Sequence, residues 1–541
     1  MRFRSLFVML TGCVFTLLGC GGAIPVDNPA AAWDESGWTG QIPWDRVVDI
    51  RDVDGQSIDQ RVAAAQQQLG AGGGVVYFPP GEYVFSDHIL LQDGVVLRGS
   101  DPRDPAAAVD DDFRPATRFR FPAYRMRFDG EPTGNETAFK GIRLADPATA
   151  SNCGVVNIAL DYGHIELGVA AGYRSGRNRL VVGCLLTNAA RLDHNVPDLQ
   201  LGQHAWQRFT ARHEAAIELH TAENVLVANN RLNPSDGSFE MPGFVLLQKP
   251  QHGNERKLVE RTVMFDYDNR PGIAVNVYSL GGGGGRDPKA TPETFAPGFR
   301  KGIVITRNYV HSTGRNCIAF TGDGTVCSFN KVRMVPGLQR HTHTGRHVAT
   351  GSATNSNRAM MIRGWRYTVE GNDLTSYRNR VHGRAFYIND GEGIMHEGHA
   401  NSTIKDSRII NNTVNAYLSI YKTAGIDGLE IRGNVIKPAG PGTDTKIPAI
   451  FVDSDRNWDR HYIHNVKILD NITSGKILIR GAPARGNVVR GNLFVGDNPE
   501  KRLILNSAKA LVENNEGFTE EVVESDLPLA EPDRPSLIWD R

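Results

Sequence analysis

A short unit recurs along most of this chain: alternating apolar residues lead to an asparagine, and one or two further apolar residues follow it. The units are centred on Asn230, Asn308, Asn330, Asn372, Asn412, Asn434, Asn471, Asn492 and Asn515. Asn308 and Asn330 are 22 residues apart, and Asn330 and Asn372 are 42 residues apart, which is two turns of 21. This period is typical of one turn of a three-sided solenoid. The sequence therefore predicts an all-β, single-stranded, right-handed parallel β-helix.

The asparagines themselves have a physical role in such a fold. Coils that stack about 4.8 Å apart place equivalent residues directly above one another. A column of asparagines can then pass amide hydrogen bonds from coil to coil. We also expect each asparagine to adopt the left-handed conformation of a sharp corner. Cys184 occupies the asparagine position in residues 180–186, which predicts a substituted corner of the same column.

A short amphipathic helix is predicted before the first coils. Ser57-Ile58-Asp59-Gln60 has the form of a capping box. Val62, Ala65 and Leu69 continue the helical spacing from Ile58 and end at Gly70. We expect this helix to cover the open N-terminal end of the solenoid.

Residues 47–99 carry a family resemblance. They contain Asp54-Gly55, the helix, the stretch GGGVVYFPPGEY from Gly72 and the strand GVVLRG from Gly94. With these features the region resembles the N-terminal part of the pectate lyase-like superfamily, in the version shared with rhamnogalacturonases and epimerase-type β-helix proteins. The resemblance implies the right-handed parallel β-helix, and it precedes lyases, hydrolases, epimerases and phage tailspikes alike. No catalytic signature of the family is matched, so the resemblance assigns no residue a role.

The first residues read as an export leader. Arg2 and Arg4 precede an apolar run that closes on Leu17-Leu18-Gly19-Cys20, which resembles a bacterial lipobox. We predict a lipoprotein signal peptide over residues 1–19, lipidation of Cys20, a linker over 20–46, the β-helix over 47–517 and a tail over 518–541. The lipid anchor is then the only membrane contact, and we expect an exported bacterial lipoprotein at the outer membrane or cell surface.

Charge and cysteine content exclude some classes of protein. Without Arg2 and Arg4, 58 basic residues face 60 acidic residues, which argues against a nucleic-acid partner. Cys153, Cys184, Cys317 and Cys327 remain after the lipobox. They could pair as disulfides, with Cys317 and Cys327 nearest in sequence, or they could be small buried apolar residues.

The period is interrupted near residues 100–150, 234–300 and 334–402, and long insertions between coils commonly build a binding face. The third insertion is densest in titratable groups. Asp390 and Glu392 would share one face of a strand, as acid and base of a glycoside hydrolase, with Glu397 in reserve. In a polysaccharide lyase, the base would be one of Arg380, His382, Arg384 and His396. The predicted substrate-binding residues are Arg378, Arg380 and His399.

The sequence thus predicts an enzyme that cleaves glycosidic bonds in an extended, acidic polysaccharide, with hydrolysis slightly preferred over elimination. The alternative is a noncatalytic surface protein that binds glycan or acts as a spacer. Ca²⁺ bound at Asp390 and Glu392 is a further alternative for a lyase. The pairs His341/His343 and His396/His399 are weak signals of a metal site, because neither has a third ligand.

Overall fold

The computed structural model describes residues 24–100, 113–122, 140–168, 176–187, 215–233, 238–248, 257–266, 272–276, 301–312, 316–334, 338–340, 347–349, 358–376, 392–397, 403–423, 425–438, 448–454, 462–481, 485–506 and 508–522. These residues form 43 strands, numbered in chain order, and one α-helix, α1 (Ile58–Leu69). Short 3₁₀ helices span Ala31–Trp33, Trp38–Gln41, Ile50–Asp52, Gly70–Gly72 and Pro499–Lys501.

Three parallel sheets form the three sides of the molecule. Sheet A contains β1 (Val47–Asp49), β2 (Gly74–Phe78), β5 (Val95–Gly99), β8 (Cys153–Val156), β11 (Arg177–Val182), β14 (Glu223–Ala228), β19 (Lys301–Thr306), β22 (Val326–Ser328), β27 (Thr368–Glu370), β30 (Thr403–Ile410), β33 (Gly425–Arg432), β36 (Tyr462–Leu469), β39 (Val488–Arg490) and β42 (Leu511–Glu513). Sheet B contains β3 (Gly81–Val84), β6 (Thr117–Arg120), β9 (Ala159–Asp161), β12 (Leu185–Thr187), β15 (Arg231–Asn233), β20 (Tyr309–Ser312), β23 (Lys331–Met334), β28 (Asp373–Ser376), β31 (Thr413–Asn415), β34 (Val435–Ile436), β37 (Ile472–Thr473) and β40 (Leu493–Phe494).

Sheet C contains β4 (Ile89–Leu91), β7 (Gly141–Leu144), β10 (His164–Leu167), β13 (Ile217–Leu219), β18 (Ile273–Val275), β21 (Asn316–Asp323), β26 (Arg358–Trp365), β29 (Glu392–Glu397), β32 (Tyr417–Thr423), β35 (Ile450–Ser454), β38 (Ile477–Arg480), β41 (Leu503–Asn506) and β43 (Thr519–Val522). Two antiparallel hairpins, β16 (Ser238–Gln248) with β17 (Lys257–Asp266) and β24 (Leu338–Arg340) with β25 (His347–Ala349), interrupt the coils. Each coil contributes one strand to sheets A, B and C in turn, so the predicted parallel β-helix is confirmed. The solenoid continues to Val522, past the predicted end at residue 517.

The interior is a single apolar core that runs along the solenoid. Alternate residues of every sheet point into it, for example Ile165 and Leu167 of sheet C and Val181 of sheet A, which are fully buried. The residues between them point outward. This alternation decides which side chains each side of the molecule presents to a ligand.

The predicted asparagine column is present at the corner between sheets A and B. Each asparagine from Asn230 to Asn492 donates its backbone N–H and one side-chain N–H to the side-chain oxygen of the next, over 2.8–3.1 Å. Cys184 closes the column, because its backbone N–H donates to Asn230 Oδ1 at 2.9 Å.

The expected left-handed conformation of these asparagines is wrong. The residue just before each one has the positive φ instead: 54° at Asn229, 53° at Arg307 and 64° at Gly371. The preceding residue makes the corner, and this leaves the buried asparagine free to span two coils with its amide.

Helix α1 begins and packs as predicted. Ser57 Oγ accepts the backbone N–H of Gln60 at 3.2 Å, and Val62, Ala65 and Leu69 are buried against the core. The side chain of Gln60 accepts from the backbone of Gln56 rather than from Ser57. The helix covers the first coil, which confirms the predicted N-terminal cap.

Residues 24–46, predicted as a linker, pack across the outer face of sheet A. Ala30, Trp38, Ile42 and Trp44 form an apolar cluster with outward-facing residues of the first coils. Those partners are Val75, Tyr77, Val96, Val156, Leu180, Val182, Leu226 and Ala228. The fully buried guanidinium of Arg98 donates to the Asp27 backbone oxygen at 2.6 Å and to Asp27 Oδ1 at 2.8 Å.

The four cysteines predicted as disulfides or buried apolar residues are free thiols inside the solenoid. Burial raises the pKa of Cys153 and of Cys184 to about 12, and raises that of Cys327 further. The apolar alternative therefore holds. The predicted leader and Cys20 lie outside the described residues, and within those residues no helix has the length and apolar character needed to cross a membrane.

Candidate active site

Two glutamates lie side by side on the outer face of sheet C. Ile165 pairs with Ile217, and Leu167 with Leu219; all four are fully buried. Glu166 and Glu218 lie between these pairs in register, so both point away from the core. Neighbouring parallel strands are about 4.8 Å apart, so the two side chains are adjacent, with 18% of the Glu166 side chain and 12% of the Glu218 side chain exposed.

Glu166 is held by two cationic or ionisable partners. Arg143 Nε lies 2.9 Å from Glu166 Oε2, and His164 Nε2 lies 3.5 Å from the same oxygen. Burial alone would raise the pKa of Glu166, but the hydrogen bond with His164 and the charges of Arg143, His164 and His220 outweigh it and lower that pKa. Glu166 is therefore a carboxylate at neutral pH.

Glu218 forms a second carboxylate–imidazole pair. His220 Nε2 lies 2.7 Å from Glu218 Oε1, and the backbone N–H of Ala215 donates to Glu218 Oε2 at 3.2 Å. The His220 side chain is fully buried, and its Nδ1 atom has no hydrogen-bond partner among the described residues. This distance is that of a hydrogen bond between an imidazole N–H and a carboxylate oxygen.

His88 and His164 extend the cluster towards the N-terminal end. The backbone N–H of Gly141 donates to His88 Nδ1 at 3.2 Å, and the two imidazole rings are 6.4 Å apart. Burial and the positive charges of Arg143, His164 and Lys140 lower the pKa of His88 to about 4. His88 is consequently neutral at pH 7 and accepts this hydrogen bond.

Arg179 fixes the ends of the two strands that carry the glutamates. Its buried guanidinium donates to the backbone oxygens of Leu167, at 3.0 Å, and of His220. Gly168 makes room for it: a Cβ there would lie 2.3 Å from Arg179 Nη1. Because Leu167 follows Glu166 and His220 is the partner of Glu218, this one side chain holds both halves of the cluster in register.

Beyond these residues, the outer face of sheet C becomes apolar. The residues next in register to Glu218 are Ala274, Ala319 and Met361, which are apolar and buried although they point away from the core. The polar cluster of Arg143, His164, Glu166, Glu218 and His220, called the glutamate cluster below, therefore occupies one end of this side.

The residues predicted from the sequence lie further along the same sheet or outside the described residues. Glu392, His396 and Glu397 are on β29, four strands from β13, which is about 19 Å along the solenoid. Arg378, Arg380, His382, Arg384, Asp390 and His399 are not among the described residues. The structure therefore does not bring the predicted acid and base together, and their roles stay predictions.

Sequence reasoning missed the glutamate cluster although a signal was present. His164-Ile165-Glu166 and Glu218-Leu219-His220 each place two titratable residues on one face of a strand. Both strands precede Asn230, the first asparagine of the regular column, so no sequence period shows that the two pairs lie side by side.

Metal binding has no support in the described part of the chain, where no three His, Cys, Asp or Glu side chains are grouped to hold an ion. The Ca²⁺ alternative involves Asp390, outside that part, and stays a prediction.

No protein-family model and no curated protein matches this chain. Solved structures align with most of it at low identity. A surface protein and adhesin of Streptococcus pneumoniae is 10% identical, covers 88% of this chain and 99% of its own, and has a TM-score of 0.40. A DFA-IIIase of Arthrobacter chlorophenolicus A6 without its lid is 11% identical, with 87% and 92% covered and a TM-score of 0.38.

A mutant tailspike protein of Escherichia coli bacteriophage HK620, in complex with a pentasaccharide, is 11% identical, with 87% and 78% covered and a TM-score of 0.39. Similarity of this size says nothing about activity. The strand order and the cap give the fold that the resemblance of residues 47–99 implies: the chain is a right-handed parallel β-helix protein.

Proposed function

We propose that the protein is a glycoside hydrolase whose reacting groups are Glu166 and Glu218. One observation carries the proposal: two outward carboxylates stand in register on adjacent strands, and each has its own histidine. Paired carboxylates that flank a sugar ring are the common machinery of glycosidic hydrolysis. Solenoids create extended binding surfaces, so we expect the substrate to be an extended polysaccharide.

The two carboxylates have different surroundings and so different tasks. Glu166, whose pKa is lowered, acts on the anomeric carbon as nucleophile or as the base that activates water. Glu218 passes a proton, shared with His220, to the oxygen of the leaving sugar. Side chains on strands about 4.8 Å apart can bring their carboxylates to the separation of roughly 5 Å that retaining enzymes use.

Hydrolysis suits this cluster better than elimination. A lyase needs a cation that neutralises the uronate carboxylate beside the proton it removes. The arginine of the glutamate cluster, Arg143, is already paired with Glu166. The expected preference for an acidic substrate rested on arginines outside the described residues, so it stays a prediction.

The test uses the purified chain with polygalacturonate, alginate, rhamnogalacturonan and a neutral β-glucan, following reducing ends and ultraviolet absorbance together. We expect reducing ends without new absorbance. Glu166→Gln and Glu218→Gln should each lower turnover by about 10³-fold or more, because each removes a reacting carboxylate without changing its size.

Glu392→Gln on β29 is the matched control, because it makes the same change on the same sheet outside the cluster. Full turnover in either cluster variant, with loss in Glu392→Gln, would move the site to the region predicted from the sequence. Silence of the unmodified chain on every polysaccharide would favour the noncatalytic glycan-binding or spacer function.

A further inference from the structure

A cavity of about 500 Å³ lies between helix α1 and strand β4, at the N-terminal end of sheet C. The side chain of Gln66 joins its two walls. Gln66 Nε2 donates to the Leu90 backbone oxygen at 3.2 Å, and Gln66 Oε1 accepts from the backbone N–H of Gln92 at 2.8 Å. The cavity is therefore preformed, as ligand sites commonly are.

The cavity lies next to the glutamate cluster along sheet C. Leu90, on its wall, pairs with Arg143, which in turn pairs with Glu166 along the same outward column. His88 lines the cavity and also contacts β7 through the backbone N–H of Gly141. Leu90 and Glu166 are two strands apart, about 10 Å, so one extended molecule can occupy both places.

The chemistry of the walls suits a sugar without charge. Leu90 is 52% exposed although it is apolar, and such a side chain can cover the C–H face of a sugar ring. Gln67 and Gln92 offer amides, which donate to and accept from hydroxyl groups. The walls carry two carboxyl groups, Asp59 and Asp93, and their described residues include neither Lys nor Arg.

We propose that this cavity is a subsite for an uncharged sugar unit of the polysaccharide that the glutamate cluster cleaves. The proposal rests on the proposed function and adds a substrate class to it. A uronate in the cavity would face two carboxyl groups with no lysine or arginine among the described lining residues to offset the repulsion. The substrate is then a neutral polymer or one that alternates neutral and acidic units.

Binding can be measured apart from turnover, by electrophoresis of the full chain carrying Glu218→Gln through gels that contain one polysaccharide each. The probes are the neutral β-glucan, rhamnogalacturonan, polygalacturonate and alginate. Ala63→Trp places a large ring from α1 into the cavity, and Leu90→Ala removes the apolar wall. Gln68→Trp is the matched control, because Gln68 is exposed on the same helix and does not line the cavity.

We expect β-glucan or rhamnogalacturonan to retard the chain, and Ala63→Trp and Leu90→Ala to weaken that binding about tenfold or more, with Gln68→Trp unchanged. Retardation by polygalacturonate or alginate alone, equal binding by Ala63→Trp and Gln68→Trp, or no retardation at all would overturn the subsite. Turnover by Glu218→Gln would instead overturn the catalytic assignment and leave the binding result as it stands.

Discussion

At the scale of the residue, two consecutive residues form the corner between sheets A and B, and each has a different role. The buried asparagine spans the coils, and the residue before it takes the left-handed backbone, where Gly, Asn or Asp usually stands. Asparagine can also take the left-handed backbone, as Asn178 and Asn224 do with φ of 59° and 57°. These two residues belong to a second, shorter column of amide hydrogen bonds. Arg307 and Phe329 are the exceptions, with bulky side chains at φ 53° and 54°.

Phe329→Asn should therefore stabilise the protein. The ring is 49% exposed, so its loss removes little buried surface, and asparagine accepts the left-handed conformation that phenylalanine resists. We expect a gain of about 1 kcal/mol in the free energy of unfolding, reduced in part by the lost contact with Arg307. Urea denaturation followed by circular dichroism measures it. Phe329→Ala removes the ring but keeps a Cβ without a polar group, and an equal gain there would attribute the effect to the ring instead.

At the scale of the element, the asparagine column behaves as one hydrogen-bonded strip. Asn372 shows what an inner member does. Its amide donates to the Cys327 backbone oxygen and to Asn412 Oδ1, and its own oxygen accepts two N–H groups of Asn330. Asn515, at the C-terminal end, makes the same kind of bonds but is partly exposed to water.

The cost of removing a member should depend on its place in the column. Asn372→Ala leaves several buried donors and acceptors without partners, and we expect a loss of about 3–5 kcal/mol in unfolding free energy. In Asn515→Ala water can replace the amide, so the loss should be about 1 kcal/mol. Denaturation of the two variants under the same conditions compares them directly. Equal losses would mean that the amide bonds between coils contribute little and that the corner backbone alone sets stability.

The repeat predicts the asparagine column and the β-helix well, because few other folds are compatible with nine asparagines that recur in register. The packing of residues 24–46 could not be predicted in the same way. Outward positions such as Val96, Leu180 and Leu226 have the composition of core residues, so a sequence pattern does not distinguish a covered outer face from the interior. Further along the same column, Thr368 and Arg408 are polar, which marks where the covering segment stops.

The glutamate cluster was hidden for a different reason. Glu166 and Glu218 are 52 residues apart in the chain, and no regular period connects their coils. Without the pairing of β10 with β13, nothing in the sequence says that the two face each other on adjacent strands. Residues 378–399 are denser in titratable groups, and such density is visible in a sequence whereas strand register is not.

At the scale of the whole molecule, we propose that the protein is a lipoprotein attached through Cys20. Cys20→Ser should abolish incorporation of labelled palmitate in the expressing bacterium and move the protein from the membrane to the soluble fraction. Cys13→Ser is the matched control, because Leu10-Thr11-Gly12-Cys13 resembles the lipobox more loosely. Continued labelling of Cys20→Ser, or loss of label in Cys13→Ser, would contradict the assignment.

With a lipid on Cys20, as proposed, the bonds between Arg98 and Asp27 would limit how far the solenoid lies from the membrane. Six residues separate Cys20 from Asp27, whose bonds to Arg98 hold it on the solenoid, and the seven chain steps between the two residues extend at most about 25 Å. The solenoid itself, with the 14 strands of sheet A at about 4.8 Å, is roughly 60 Å long. Because this tether is much shorter than the solenoid, it would keep the protein close to the membrane. The protein would act on glycan that lies on, or is delivered to, the cell surface, and polymer in the surrounding medium would have to come to it.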